Sequence, residues 1–229
     1  MPATLRVVTW NLYHGRSEHP ADRSLLREFS AALGGWEWDV ALLQEVPPWW
    51  PPELARAAGA AHRTCLTSRN SLLAVRRAIA ERWPDAIRSN GGGANAILAR
   101  HAINVHATRR LRLRPERRYL HAVRLRDAGL WVANAHTSVR SADPEAGDVE
   151  LARRVALRWA GDRPLVLGGD LNHRDLRLDG LAHAAGRGLT KGIDYVWARG
   201  LTPVGEPEVL DAGALSDHRP IAAVLAHGA

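Results

Sequence analysis

The sequence predicts an α/β fold organised as one domain. Short, continuously apolar runs recur along the whole chain, helix-patterned stretches lie between several of them, and no Pro/Gly/Ser linker, repeat or low-complexity tract divides the 229 residues. A hydrophobic fraction of 46% and a charged fraction of 24% are those of an ordinary globular protein able to bury a real core. Residues 1–229 are therefore expected to form a single domain.

Taken in order, "LRVVTW" (5–10) reads as the first strand, and "ADRSLLREFSAAL" (21–33), with apolar residues at helical spacing, as the first helix. "DVALLQEV" (39–46) is a strand, followed by a short helix over "PPELARAAGA" (51–60). "ANAILAR" (94–100), "YLHAVRL" (119–125) and "LWVANAHT" (130–137) are further strands. A long helix is expected over 143–160, because Asp-Pro and acids open it and Leu151, Val155 and Trp159 follow four apart. "PLVLGGDL" (164–171), "IDYVWA" (193–198) and "RPIAAVL" (219–225) complete the strands. Several are apolar throughout, as strands covered on both faces are.

The net charge is +7 and the isoelectric point about 10.8, which favours an anionic partner such as nucleic acid or another phosphate ester. The excess is nearly all arginine, since Lys191 is the only lysine. One cysteine, Cys65, excludes an internal disulfide framework. No run approaches the roughly 18 apolar residues of a membrane span. The first residues enter a strand pattern without a basic-then-apolar leader, so a cytoplasmic location is expected. Nothing points to an obligate protein partner.

In "LVLGGDLNHR" (165–174) a buried-type strand runs through Gly168 and Gly169, read as a tight turn, into Asp170 and Asn172. Two apart in an extended chain, these two would project to one face. They suit a hard cation with its waters, or a water beside a phosphate. They are equally ordinary turn residues. Other strands break the tie, for each also finishes in a residue of metal or phosphate type. "VVTWN" delivers Asn11, "ALLQE" Glu45 and "VANAH" His136, while Asp194 opens one strand and Asp217 and His218 precede the last. Convergence of so many on one sheet edge would make an active site.

The ordered set "TWN", "LQE", "GGANAILAR", "RRYLHAVRL", "ANAHTS", "GGDLN", "IDYV" and "SDHRPI" resembles the endonuclease/exonuclease/phosphatase superfamily. That group contains deoxyribonuclease I-like, exonuclease III-like, sphingomyelinase and inositol-polyphosphate phosphatase branches. The resemblance implies a four-layer α/β sandwich, two face-to-face mixed β-sheets flanked by helices. It also implies Mg²⁺-dependent hydrolysis of a phosphoester, with Mn²⁺ a possible substitute.

Carried over by position, the resemblance makes Glu45 the main metal ligand, with Asn11 and Asp217 in support. Asp170 would prepare the attacking water, and Asn172 would bind the scissile phosphate together with Arg118, for which Arg117 competes. His218 would contact or protonate the phosphate. Asp194 would orient a histidine, and His136 would serve as a second histidine, a general acid in some branches. His14 and His173 flank motif residues without matching them. Only 21 residues separate Asn172 from Asp194, too few for the abasic-sugar pocket of apurinic endonucleases.

Two stretches outside the motifs could touch substrate. Trp49 and Trp50 in "VPPWWPPE" either stack on bases or a lipid, or pack a rigid turn. In "TRRLRLRPERR" (108–118), Arg110, Arg112 and Arg114 would share one strand face, tracking phosphates or merely solvating an edge. The expected function is a phosphodiester hydrolase acting on DNA or RNA. The alternatives are a small-molecule or lipid-headgroup phosphoesterase, and a catalytically inactive phosphate-binding or interaction module.

Overall fold

The computed structural model describes residues 4–68, 70–87, 93–138 and 147–227. Among them the chain runs β1 (Thr4–Asn11), α1 (Leu26–Gly35), β2 (Val40–Val46), α2 (Pro51–Ala57), β3 (Ala61–Leu66), α3 (Leu73–Arg82), β4 (Ala94–Ala99), β5 (Ile103–Arg112), β6 (Arg118–Leu125) and β7 (Trp131–His136). It continues through α4 (Asp148–Ala160), β8 (Leu165–Asp170), β9 (Ala182–Ala185), β10 (Asp194–Arg199), β11 (Leu201–Val209) and β12 (Ile221–His227).

The strands make two six-stranded mixed sheets, ordered β11-β12-β1-β2-β4-β3 and β5-β6-β7-β8-β10-β9. The pairs β1–β2 and β7–β8 are parallel and sit at the middle of their sheets. Strand alternation then builds the layers. Val7, Leu42 and Ile97 of the first sheet meet Val132, Val166 and Val196 of the second in one dry core. Trp10 and Leu43 face the other way and pack on Phe29 and Leu33 of α1 and Leu54 of α2. Ala133 and Leu167 pack on Val149, Ala152 and Ala156 of α4. This is the four-layer sandwich. No helix among the described residues is long and apolar enough to cross a membrane.

Several expectations shift. The helix expected from residue 21 begins at Leu26, whose N–H reaches the Ser24 hydroxyl at 3.4 Å, and it ends on the Gly34–Gly35 pair. The helix expected from 143 is α4, starting at Asp148, and 143–146 fall outside the described residues.

Gly168 and Gly169 are not a turn but the buried interior of β8. Gly169 has φ +131°, and a Cβ there would lie 1.9 Å from the Ala135 carbonyl oxygen of β7. A Cβ on Gly168 would meet Leu42 Cδ1 of the opposite sheet at 2.7 Å. Only glycine lets β8 lie this close to both neighbours.

Arg110, Arg112 and Arg114 do not form a strip. A bulge between Arg110 and Arg112 breaks the alternation, and Arg112 Nε donates to the buried carboxylate of Asp148 at 2.9 Å. Arg114 lies beyond the strand end.

Trp50 belongs to the fold rather than to a substrate. It is 2% exposed, and its ring centroid is 5.4 Å from that of Phe29. Trp49 packs partly against the same cluster, with the Arg77 guanidinium 5.9 Å from its ring centroid.

Candidate active site

Strand pairing alone gathers most of the expected residues at one end of the sandwich. Asn11 ends β1 opposite Gln44 of β2, the residue before Glu45. In the other sheet Asp170 is registered between His136 on β7 and Asp194 on β10. His218 comes in on the segment leading to β12, where Trp10 Nε1 donates to its carbonyl at 2.9 Å. Its N–H donates to the Ser216 hydroxyl at 3.1 Å, and that hydroxyl donates to the Asn11 carbonyl at 2.6 Å.

Left-handed backbone does the rest of the aiming. Glu45 has φ +51° at a register shift between Leu43 and Val46, so the bulge redirects its side chain out of the strand alternation. Asn172 has φ +54° and Ser216 φ +62°. Tyr13 and His14 follow Asn11 at φ +48° and +56°, and Gly15 at +78°. Such non-glycine residues cost on the order of 1–3 kcal/mol each and persist where the surroundings over-determine them. Here Asn11 Oδ1 accepts the Tyr13 N–H at 2.9 Å. Trp50 lies so close to Gly15 that a Cβ there would be 2.3 Å from the ring.

Asp170 is the hub. It is 2% exposed, accepts Asn11 Nδ2–H at 2.9 Å on Oδ2, and accepts the Asn172 N–H at 3.1 Å on Oδ1. Asp170 and Asn172 thus meet through a turn, not through the extended chain expected, and Asn172 Nδ2 donates to the Thr137 carbonyl at 2.9 Å. Burial first, and the neighbouring Asp194 charge second, push the Asp170 carboxyl well above the usual range.

His218 Nδ1 donates to Asp194, 2.9 Å from Oδ2, leaving Nε2 directed at Asp170 Oδ2, 3.8 Å away. Burial lowers the His218 pKa, but the hydrogen bond to Asp194 and the charges of Asp194 and Asp170 outweigh it, so the net shift is upward. His136 is the opposite case. Burial first, then the positive charges of Arg118, His14 and His218, hold it well below the ordinary histidine value. Arg118 Nη1 lies 2.8 Å from His136 Nδ1 and can only donate, so the ring proton sits on Nε2. That nitrogen faces Asp170 Oδ2 at 3.5 Å and Glu45 Oε1 at 3.7 Å. A ring held neutral is a hydrogen-bond donor rather than an imidazolium acid.

Beside His136 and Arg118 opens a pocket of about 420 Å³, also lined by Glu45, Glu116, His14, Thr67 and Ser68. Arg117 also lines it, but Arg118 is the arginine that reaches the histidine. Asp217 does not join the cluster. Its side chain is 41% exposed and pairs with Lys191 at 2.8 Å, because neighbouring residues point opposite ways and His218 takes the inward position. His173 likewise makes no contact with the cluster among the described residues; burial lowers its pKa.

Two sets of ligand atoms could hold a cation. Asp170, Asp194 and His218 place ligand atoms within 4.8 Å of one another. Those atoms are already engaged, however: His218 Nδ1 with Asp194, and both Asp170 oxygens with amide N–H groups. Glu45 differs, being 22% exposed at its side chain and open to the pocket. A carboxylate with amide and water oxygens around it fits Mg²⁺ or Mn²⁺, which keep several waters. Cys65 adds no thiolate, since burial pushes its pKa to about 11.

Sequence reasoning missed the residues beneath the site. Gln44 Nε2 donates to Asn134 Oδ1 at 2.8 Å, across the gap between the sheets. Asn134 Nδ2 donates back to the Leu43 and Ala96 carbonyls at 2.9 and 3.0 Å. The available signal was a polar residue inside an apolar run, two before a site residue: Asn134 before His136 and Thr9 before Asn11. In the sequence His14 is only a neighbour of a motif. Its Nε2 lies 3.0 Å from Glu45 Oε2.

A buried Asp–His pair, an arginine-bound histidine and an open carboxylate thus meet at one end of the two-sheet sandwich. Comparison with known proteins identifies the family: the model of the Endonuclease/Exonuclease/phosphatase family matches residues 8–218, and the chain belongs to that family. Its members are in general metal-dependent phosphoester hydrolases. No curated protein matches. Among solved structures the chain is similar to an endonuclease/exonuclease/phosphatase from Beutenbergia cavernae DSM 12333, at 21% identity and TM-score 0.69, covering 98% of this chain and 72% of that one. A protein of the same description from Bacteroides vulgatus shares 16% identity with TM-score 0.70, covering 98% and 99%. TDP2 from C. elegans shares 16% with TM-score 0.65, covering 97% and 75%. Likenesses this remote speak for the fold.

Proposed function

We propose that this chain is a Mg²⁺-dependent phosphodiesterase with nucleic acid as its substrate class. The observation that carries the reading is the paired arrangement around Asp170, with a raised carboxyl between the Asp194-anchored His218 and the Arg118-anchored His136. Glu45 would hold the cation, with Asn11 keeping one carbonyl lone pair free to assist. A bound Mg²⁺ would neutralise charge on the phosphate oxygens and acidify water. Asp170, held by Asn11 and Asn172, takes the proton of the attacking water. His218 presents Nε2–H to the phosphate while Asp194 fixes its tautomer. His136 donates from Nε2, and Arg118 supplies a fixed positive charge beside it. Asn172, whose Nδ2 keeps a second N–H beyond its bond to the Thr137 carbonyl, would bind a phosphate oxygen.

A small phosphoester is the second reading, favoured by a pocket of only about 420 Å³ whose far wall includes the Thr67 and Ser68 hydroxyls. Hydrolysis of an oligonucleotide and of bis-p-nitrophenyl phosphate, with Mg²⁺ and with EDTA, separates the readings. Loss of all turnover with EDTA and in Glu45→Gln is expected. Turnover that survives both would remove the cation and Glu45 from the mechanism.

A further inference from the structure

Away from the site, β5 and α4 enclose a second groove of about 380 Å³. Arg109 projects into it from β5, and Arg154 and Arg158 from α4, one helical turn apart. Leu151, Val155 and Trp159 form its apolar floor. The Trp159 ring is backed by Trp131, with centroids 6.5 Å apart and planes at 23°. No acidic residue lines it. Glu150 approaches Arg154 at 3.6 Å but is bound more closely by Arg153, at 2.6 and 2.7 Å. Arg109 and Arg158 make no ion pair among the described residues.

Three guanidiniums converging on one concave surface repel one another, and concave, low-dielectric walls strengthen their combined field. Keeping an edge strand from pairing with another molecule accounts for Arg109, since β5 is the edge of its sheet. It does not account for two arginines placed opposite on the helix. An anion in the groove would relieve the repulsion. The apolar floor with a rigid indole matches the sugar and base between phosphates.

The groove also lies close to the site in register. Arg109 pairs with Leu120, two residues along β6 from Arg118, a step of about 7 Å. We propose that this groove binds a stretch of a single nucleic-acid strand outside the active site. The inference rests on the nucleic-acid reading and extends it to a second, non-catalytic contact surface.

The test is binding of a fluorescent single-stranded oligonucleotide in EDTA, as a function of salt, to the unaltered chain and to Arg109→Gln/Arg154→Gln/Arg158→Gln. Three lost phosphate contacts should flatten the log–log salt slope by about 2, at about 0.7 per contact. Turnover of bis-p-nitrophenyl phosphate, too small to reach the groove, should be the same in both. Equal slopes and affinities would overturn the groove while leaving a demonstrated nuclease activity standing. An unaltered chain that neither binds nor cleaves the oligonucleotide would remove both the groove and the nucleic-acid reading.

Discussion

His14 Nε2 lies 3.0 Å from Glu45 Oε2, and each residue reaches that contact from left-handed backbone, at φ +56° and +51°. Two strained positions thus meet at one hydrogen bond. Trp50 ties them together, since it follows β2 on the Glu45 side and packs flat against Gly15 on the His14 side. With Oε2 held, Oε1 is the freer oxygen of the carboxylate.

His14→Ala should therefore weaken Mg²⁺ binding about 10-fold, the low end of what losing a ligand's hydrogen-bond partner costs. His14→Gln, which keeps a donor, should recover part of it. Calorimetric titration with Mg²⁺ reads this directly. An alanine variant with unaltered affinity would show that the contact is only packing.

The two candidate cation sites are separable at Asp194. If it only orients His218, Asp194→Asn leaves cation affinity unchanged while turnover falls by about 10² to 10⁴. If Asp170, Asp194 and His218 hold the cation, affinity and turnover fall together.

Stability should depend on pH through His121, which is fully buried and lies 3.4 Å from His106. Burial first, and the charge of His106 second, lower its pKa from the ordinary 6.5 to about 3. Between those values the unfolded chain binds a proton that the folded chain refuses. Stability from this group is therefore complete above pH 6.5 and declines as pH falls below it, by up to about 1.4 kcal/mol per pH unit. His121→Asn should flatten the stability–pH curve between pH 6 and 4 by as much as one proton's slope, as seen by urea melts. An unchanged slope would mean the ring is already charged in the fold.

Gly169→Ala combines a Cβ 1.9 Å from Ala135 O with φ +131°, and should cost about 3 kcal/mol or more. Gly180→Ala, with φ +76° and nothing within 4 Å, should cost about 1 kcal/mol. Thermal melts of the two variants should differ accordingly; similar melting points would mean β8 can move away from β7.

All eight strands placed in the sequence are interior strands; of the four sheet edges, β3, β9 and β11 went unread, and β5 was anticipated only through the arginine alternation of 108–118. Interior strands are apolar on both faces and announce themselves. Edges need only half-bury, and β11 even carries Pro203, Gly205 and Pro207, which argue against a strand. The site divides in a similar way. Asn11, Glu45, His136, Asp170, Asp194 and His218 end or adjoin interior strands, and periodicity exposes them. His14, Gln44 and Asn134 act through a bulge, a strained turn and a cross-sheet bond, none of which a linear pattern encodes. The arginine strip was misread because strict alternation was assumed where a bulge interrupts it, while Asp217, placed at the metal by the resemblance, takes the outward one of two neighbouring positions.

The bond between Gln44 and Asn134 has a mechanical consequence. Asn11, Glu45 and His218 ride on one sheet, and His136, Asp170 and Asp194 on the other. The contacts of Asn11 with Asp170, of His218 with Asp194 and Asp170, and of His136 with Glu45 therefore span the seam, and each of those distances is a measure of how far one sheet has slipped over the other. A dry interface of valines and leucines resists separation but offers little resistance to sliding. Asn134, which grips the Leu43 and Ala96 carbonyls of the facing sheet, acts as an alignment pin. Its job is to keep the two half-sites from drifting out of register.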